Sequence, residues 1–255
     1  MTLNLEFLPL TAFTFLLIFA RVGSMVMALP GIGDSSVPAN IRLVFALALC
    51  LVFYPLVQQR FPTFPASLGA MGALFLHEVI IGLALGMLIR LIMSGAQVAG
   101  TVIGFQSGLS FATSFDPNFG GQSNVISTFF GIVALTLVFV FDLHHLLLAG
   151  IFDSYKLFSP TMQLPASDFS IMALSLVSGA FRIALQMSAP FIVFGLIFYL
   201  GIGVLARLIP QIQIFFIAMP ANIFISLILL MLLMSSLMMA YMTYFTGAIE
   251  LFLAN

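Results

Sequence analysis

The sequence predicts an all-α integral membrane protein. Two observations carry that prediction. The chain of 255 residues is 62% hydrophobic and only 6% charged, with 7 Lys+Arg against 8 Asp+Glu. A soluble domain is about a quarter charged, and this chain has too few charges to cover a soluble surface. The apolar residues also fall into six long stretches: Phe7–Leu29, Ile41–Val57, Leu68–Met93, Val125–Ile151, Phe181–Arg207 and Ile214–Phe245. Each reaches or approaches the ~20 residues that span a hydrocarbon core.

The elements follow in order. The first stretch begins without a basic region, and its first positive residue is Arg21, so it is expected to be a retained membrane segment and not a cleavable leader. The breaks hold turn residues: Pro30-Gly31 to Pro38, Gln58 to Pro65, Ser154 to Ser170, and Pro210 to Gln213. They are short, so neighbouring helices are expected to pack as hairpins in a single membrane domain spanning residues 1–255. Pro220 lacks a backbone donor and is expected to kink the last helix. Orientation is weakly specified. Arg42, Arg90 and Arg207 flank one side, and Arg60, Lys156 and Arg182 the other, without the excess that the positive-inside rule needs.

The third break, Ser94 to Asn124, differs from the others. It is glycine-rich and carries one charge, Asp116, and one proline, Pro117. It is expected to hold backbone at membrane depth that is not lipid-facing helix throughout, which protein or a water-filled cavity must cover. Gly100, Gly104 and Gly108 stand four residues apart, and for the first two tight helix packing is the expected use. Asp116-Pro117 disfavours helix at Asp116, and Gly120-Gly121 punctuates again. Phe105, Phe111, Phe115 and Phe119 supply aromatic bulk that could plug a constriction; a plain extramembrane loop is the alternative.

Few residues could carry chemistry. Glu78 lies inside an apolar stretch, where a carboxylate costs a few kcal/mol and is by default functional; a carboxylate neutralised by protonation, or paired with an arginine of a neighbouring helix, is the near-equal alternative. Gly82 and Gly86 follow on the same helical face and admit a neighbouring helix there. Arg21 and Arg182 need partners, and Glu78 and Asp142 are the candidates; Arg207 can snorkel to an interface. Asp142, His144 and His145 invite a metal reading. However, adjacent residues point about 100° apart on a helix, and a zinc site needs more ligands than stand nearby. Satisfied or interfacial histidines are expected, as for His77. Cys50, the single cysteine, excludes an intrachain disulfide. No nucleophile elbow, phosphate-binding loop, zinc-protease motif or dinucleotide fingerprint is present, so no enzyme, catalytic residue, cofactor or metal is expected. The net charge of −1 points to no nucleic acid. A secondary small-solute transporter would share the broken helices and buried charges.

The order and spacing of several pieces resemble one family. They are Arg21 with Pro30, Pro38 with Arg42, Glu78-x3-Gly82-x3-Gly86, and Gly100-x3-Gly104-x-Gln106-x-Gly108 leading to Asp116-Pro117. His144, Ser154-Tyr155, and Arg207-x2-Pro210-Gln211 with Phe215 and Pro220 complete the set. The chain is similar to the FliR family of flagellar biosynthesis proteins, which belong to the type III export gate, and more distantly to injectisome counterparts. The resemblance implies a subunit that joins FliP- and FliQ-like proteins, with the large export-gate subunit FlhB nearby. It implies a site in the flagellar basal body at the bacterial inner membrane, and a conduit for unfolded flagellar proteins. It further implies a FliP-like part over about residues 1–170 and a FliQ-like helical hairpin over about 171–255, turning at Pro210-Gln211. The family's pore-closing loop maps to about Gly104–Gly121, with Gly104, Phe105, Gln106, Gly108, Phe111, Phe115, Asp116 and Pro117 as its residues. Glu78, Gly82, Gly86, Arg182, Arg207 and Gln211 are the implied polar or packing positions within the membrane. The chain departs from many relatives at Gln213, at Ala221-Asn222 and at Asp142.

Overall fold

A computed structural model describes residues 7–61, 65, 67–110, 124–160, 166–208 and 214–250. Among them every regular element is helical: α1 (Phe7–Ala28), α2 (Ala39–Val57), a 3-10 turn (Gln58–Arg60), α3 (Leu68–Gln106), α4 (Val125–Val140), α5 (Leu143–Leu157), α6 (Ala166–Leu208) and α7 (Ile214–Glu250). Five of these helices are long and apolar enough to cross a membrane, and α4 with α5 makes a sixth, bent candidate. The fold class is the one expected. Several boundaries are not.

The Ser94–Asn124 break opens later than the sequence indicates, because α3 runs on through Gln106 as a single helix of 39 residues. Each glycine weakens the helix by roughly 1 kcal/mol relative to alanine, and in this extension Gly95 packs closely on α6 and Gly100 and Gly104 on the start of α4. The expected Ser154–Ser170 loop is also shorter. α5 continues to Leu157 and α6 starts at Ala166, with Asp168 in its first turn, where the helix dipole favours a carboxylate. The apolar run Val125–Ile151 is not one helix. Asp142 takes the left-handed conformation at φ 57°, which ends α4, and α5 leaves at an 80° bend.

Contacts within the chain group it into two units. The first contains Met1–Leu91, Asp142–Leu176 and Gly247–Asn255; the second contains Ile92–Phe141 and Val177–Thr246. Leu17, Ile18, Val22, Met25, Ile81, Leu85 and Ile151 are buried in the first. Here α1 and α3 run parallel, with Arg21 beside Gly82 and Ala28 beside Gly86. In the second, Ala99, Ile103, Phe130, Ala184, Phe191 and Tyr241 are buried. The later half of α3 runs antiparallel to α4, through Gly100 on Ser127 and Gly131 on Gln97. α6 and α7 are antiparallel, since Gly179 meets Tyr244 and Tyr199 bonds to Asn222.

In lipid, apolar side chains gain nothing by leaving their surroundings, so helix association depends on close backbone approach and interhelical hydrogen bonds. Gly82 and Gly86 provide the approach between α1 and α3. A Cβ on Gly82 would collide with Ser24 Oγ and the Arg21 carbonyl; one on Gly86 would collide with Ala28 Cβ and stand 3.0 Å from Met25 O. By contrast, of the membrane-length stretch of α6 only 11% is buried within this chain. Its exposed face carries Leu196, Ile197, Leu200, Val204 and Leu208.

Candidate functional site

The first unit is built around one buried charge cluster. Arg21 donates from Nε to Glu78 Oε2 at 2.6 Å and from Nη2 to Oε1 at 2.9 Å. Its third nitrogen, Nη1, donates to Ser154 O at 3.0 Å. The guanidinium lies 4.3 Å from the centre of the Tyr155 ring. Both ion-pair side chains are 0% exposed. The guanidinium fork matches the carboxylate at two points, which is the geometry that favours arginine over lysine at a buried pair.

Helix α5 shares in this arrangement. The last four carbonyls of any helix lack intrahelical partners, and cations are favoured there. Arg21 adds a bond to the Ser154 carbonyl, which also accepts from Phe158 N–H at 2.9 Å, and Arg60 Nη1 takes the Tyr155 carbonyl at 3.2 Å. The Tyr155 hydroxyl reaches back to Ile18 O at 3.4 Å. Thus Arg21, Glu78 and Ser154-Tyr155, scattered along the sequence, come together in one place. His77 Nδ1 stands 3.8 Å from Glu78 Oε1.

A second arginine works at the end of α1. Arg90 Nε donates to Ala28 O at 2.6 Å, and its Nη2 pairs with Asp34 at 3.0 Å. Asp34 also accepts from Gly31 N–H at 2.9 Å, and Arg42 donates to Gly33 O at 3.2 Å. The α1–α2 turn is therefore held by Arg90 and Arg42, two of the three arginines that the sequence places on that side.

In the second unit the polar groups gather where α3 ends. Gly104 leaves room for the side-chain amide of Asn124, which a Cβ there would strike. Asn124 caps α4, its Oδ1 accepting from Ile126 N–H at 3.0 Å. Its Nδ2 donates to Thr101 O at 3.2 Å and to Ser110 Oγ at 2.8 Å. One amide therefore joins α3, the start of α4 and Ser110.

The helix end itself is tightly finished. Ser107 N–H bonds Ile103 O at 2.9 Å, Gly108 N–H bonds Phe105 O at 3.2 Å, and Ser107 Oγ donates to Gly104 O at 3.1 Å. Gly108 sits at φ 76°, the left-handed region that commonly closes helices and suits glycine. The Gln106 carbonyl accepts from Asn222 Nδ2 of α7 at 3.0 Å, and the same amide reaches the Tyr199 hydroxyl of α6 at 3.3 Å. Phe105 is 60% exposed. Arg182 and Arg207 are both exposed on α6. Arg21 is thus the arginine that takes the buried carboxylate, not Arg182. Phe111, Phe115, Asp116, Pro117 and Gln211 lie outside the described residues.

Asp142, His144 and His145 bring ligand atoms within 4.8 Å of one another. An ideal helix would point the two histidines apart. They converge because they open α5 directly after the left-handed Asp142, and their rings lie 4.1 Å centre to centre. Asp142 and His145 are largely exposed, and three such groups do not close a tetrahedral structural site.

Sequence reasoning overlooked Asn124 and Asn222 as structural centres. Asn222 stood out only as a departure from relatives. The available signal was an amide side chain inside the apolar run that follows Pro220, where a polar group must find a partner.

A sequence profile of bacterial export proteins, family 1, matches residues 12–248. The chain belongs to this family of bacterial export proteins. The matched region contains Arg21, Glu78, Asn124 and Asn222 alike. Among similar export-family proteins is the flagellar biosynthetic protein FliR of Caulobacter vibrioides, 42% identical over 236 residues, covering 92% of this chain and 94% of the relative. The proteins of the same name from Bacillus subtilis and Escherichia coli are 32% and 30% identical, covering 92% and 91% of this chain and 92% and 85% of the relatives.

Proposed function

We propose that this export-family protein is a membrane subunit of the flagellar type III export gate. The observation that carries the reading is the identity of 42%, over nearly the full length of both chains, with a flagellar biosynthetic protein. In this reading the chain assembles with FliP- and FliQ-like subunits, beside an FlhB-like one, in the flagellar basal body at the bacterial inner membrane. Together they form the conduit for unfolded flagellar proteins. About residues 1–170 act as the FliP-like part, and the antiparallel α6–α7 pair lies in the FliQ-like part. The large exposed apolar face of α6 supports this, because it needs lipid or other subunits to cover it.

The proposed mechanism is passive gating. The segment about Gly104–Gly121 closes the pore at rest and moves aside when substrate is driven through. No reaction is catalysed, and energy comes from other components of the export apparatus. The buried Arg21–Glu78 pair serves to hold α1, α3 and α5 in register.

The experiment is a mild-detergent pull-down of the chain from its native membranes, followed by mass spectrometry and negative-stain imaging. FliP- and FliQ-like partners in one particle are expected. A lone, monodisperse protein that takes up a small solute in liposomes would overturn the reading in favour of a transporter. Co-purification with virulence-secretion components would assign it to an injectisome.

A further inference from the structure

Asn222 is 2% exposed, in a helix whose neighbouring residues are almost all apolar. An amide has two N–H donors and one carbonyl acceptor, and here each is engaged. Nδ2 donates to Gln106 O at 3.0 Å and to the Tyr199 hydroxyl at 3.3 Å, while Oδ1 accepts from Ser226 Oγ at 3.4 Å. Three helices meet at this side chain: α3 through Gln106, α6 through Tyr199, and α7 itself. Away from water, every member of such a network needs its partner, so a fully satisfied set fixes one arrangement.

The position on α3 matters. Gln106 is the last residue of the helix, and its carbonyl is one of the four that no intrahelical donor reaches. Two residues later the chain turns at Gly108, whose nearest neighbours from other elements are Asn222 Nδ2 and Ile223. Two residues further, Ser110 is bound to Asn124. The end of α3 is thus held from α7 on one side and from the α4 cap on the other.

We propose that Asn222 is the positioning residue that ties the end of α3 to the α6–α7 hairpin, so that a movement of this hairpin is delivered directly to Ser107–Ser110. Its consequence for conduction rests on the pore-closing reading given above. Serine at 226 only orients the amide from behind, whereas the two donors make the tie.

The test is hydrogen–deuterium exchange of the full chain in its native assembly, read with ion leak through the same membranes. Replacement Asn222→Leu keeps the volume and removes both donors. Peptides covering residues 100–110 are then expected to exchange about tenfold faster, the scale for leaving a buried acceptor unpaired. Peptides covering 78–90 stay unchanged. Ser226→Ala retains both donors and, by removing only the long 3.4 Å bond to Oδ1, is expected to accelerate these peptides far less than Asn222→Leu. Tyr199→Phe leaves Asn222 in place and is expected to give a smaller acceleration in the same peptides; it carries the test if Asn222→Leu does not accumulate. Unchanged exchange at 100–110, or equal acceleration everywhere, overturns the tie whatever the conductance. Local acceleration with a membrane as tight as the parent's leaves the tie standing and overturns the pore-closing reading instead.

Discussion

Arg21 and Glu78 stand 57 positions apart and meet in a two-point ion pair with neither side chain exposed. Such a pair is weak evidence for stability as such, since both charges give up their solvation. Its proposed use is specificity: the register seen here lets α1 and α3 satisfy both charges at once.

Removing one partner strands the other. Arg21→Leu or Glu78→Gln alone is expected to cost about 3–5 kcal/mol and to lower the amount of assembled complex sharply. The paired replacement Arg21→Leu with Glu78→Leu should recover much of the loss, as quantified by complex yield and thermal stability in detergent. Normal assembly of Glu78→Gln with lost export would shift the residue from framework to gating.

Two glycines of α3 give opposite predictions. Gly82→Ala puts a methyl group onto the Arg21 carbonyl, so α1 and α3 must separate, and a drop in thermal stability is expected. Gly72→Ala meets nothing within 4 Å and should be neutral or stabilising by about 0.5–1 kcal/mol through helix propensity. Melting curves of the two variants, made side by side, check the assignment of the packed face.

At Gly108 the requirement is conformational. The left-handed φ of 76° costs a side-chain-bearing residue roughly 1–2 kcal/mol. Asparagine visits that region more readily than alanine, and valine least of all. The expected order of assembled yield is glycine, asparagine, alanine, valine.

Deleting Phe111–Asp116 tests the pore-closing proposal. Assembly is expected to persist while the resting membrane leaks ions, as read by growth at high salt or by conductance in bilayers. An assembled variant as tight as the parent would sink the assignment.

The sequence showed the helices plainly, because hydropathy reports lipid contact directly. It missed boundaries where helix continues into polar or glycine-rich sequence. Ser94–Gln106 is polar and glycine-rich yet helical, since its glycines seat neighbouring helices, Gly95 against Ala180 of α6 and Gly100 against Ser127 of α4. The break inside Val125–Ile151 was hidden because nothing around Asp142 signals a left-handed residue. The site was half legible. Glu78 with Gly82 and Gly86 could be read as one helix face, but the choice of Arg21 over Arg182 depends on packing between distant elements. Asn124 and Asn222 were hidden for the same reason: an amide's importance lies in what surrounds it.

The length of α6 has a consequence for the life of the protein in the cell. Its 43 residues extend about 65 Å, twice the ~30 Å of hydrocarbon, and little of its membrane-length stretch is covered by this chain. Lipid can solvate one half at a time, so the other half has no suitable solvent until companion subunits arrive. A copy made in excess is therefore an orphan, marked for chaperones and proteolysis by its own bare helix. Its abundance should follow that of whatever covers α6, which makes supply of partners, and not its own synthesis, the quantity that sets how much of it survives.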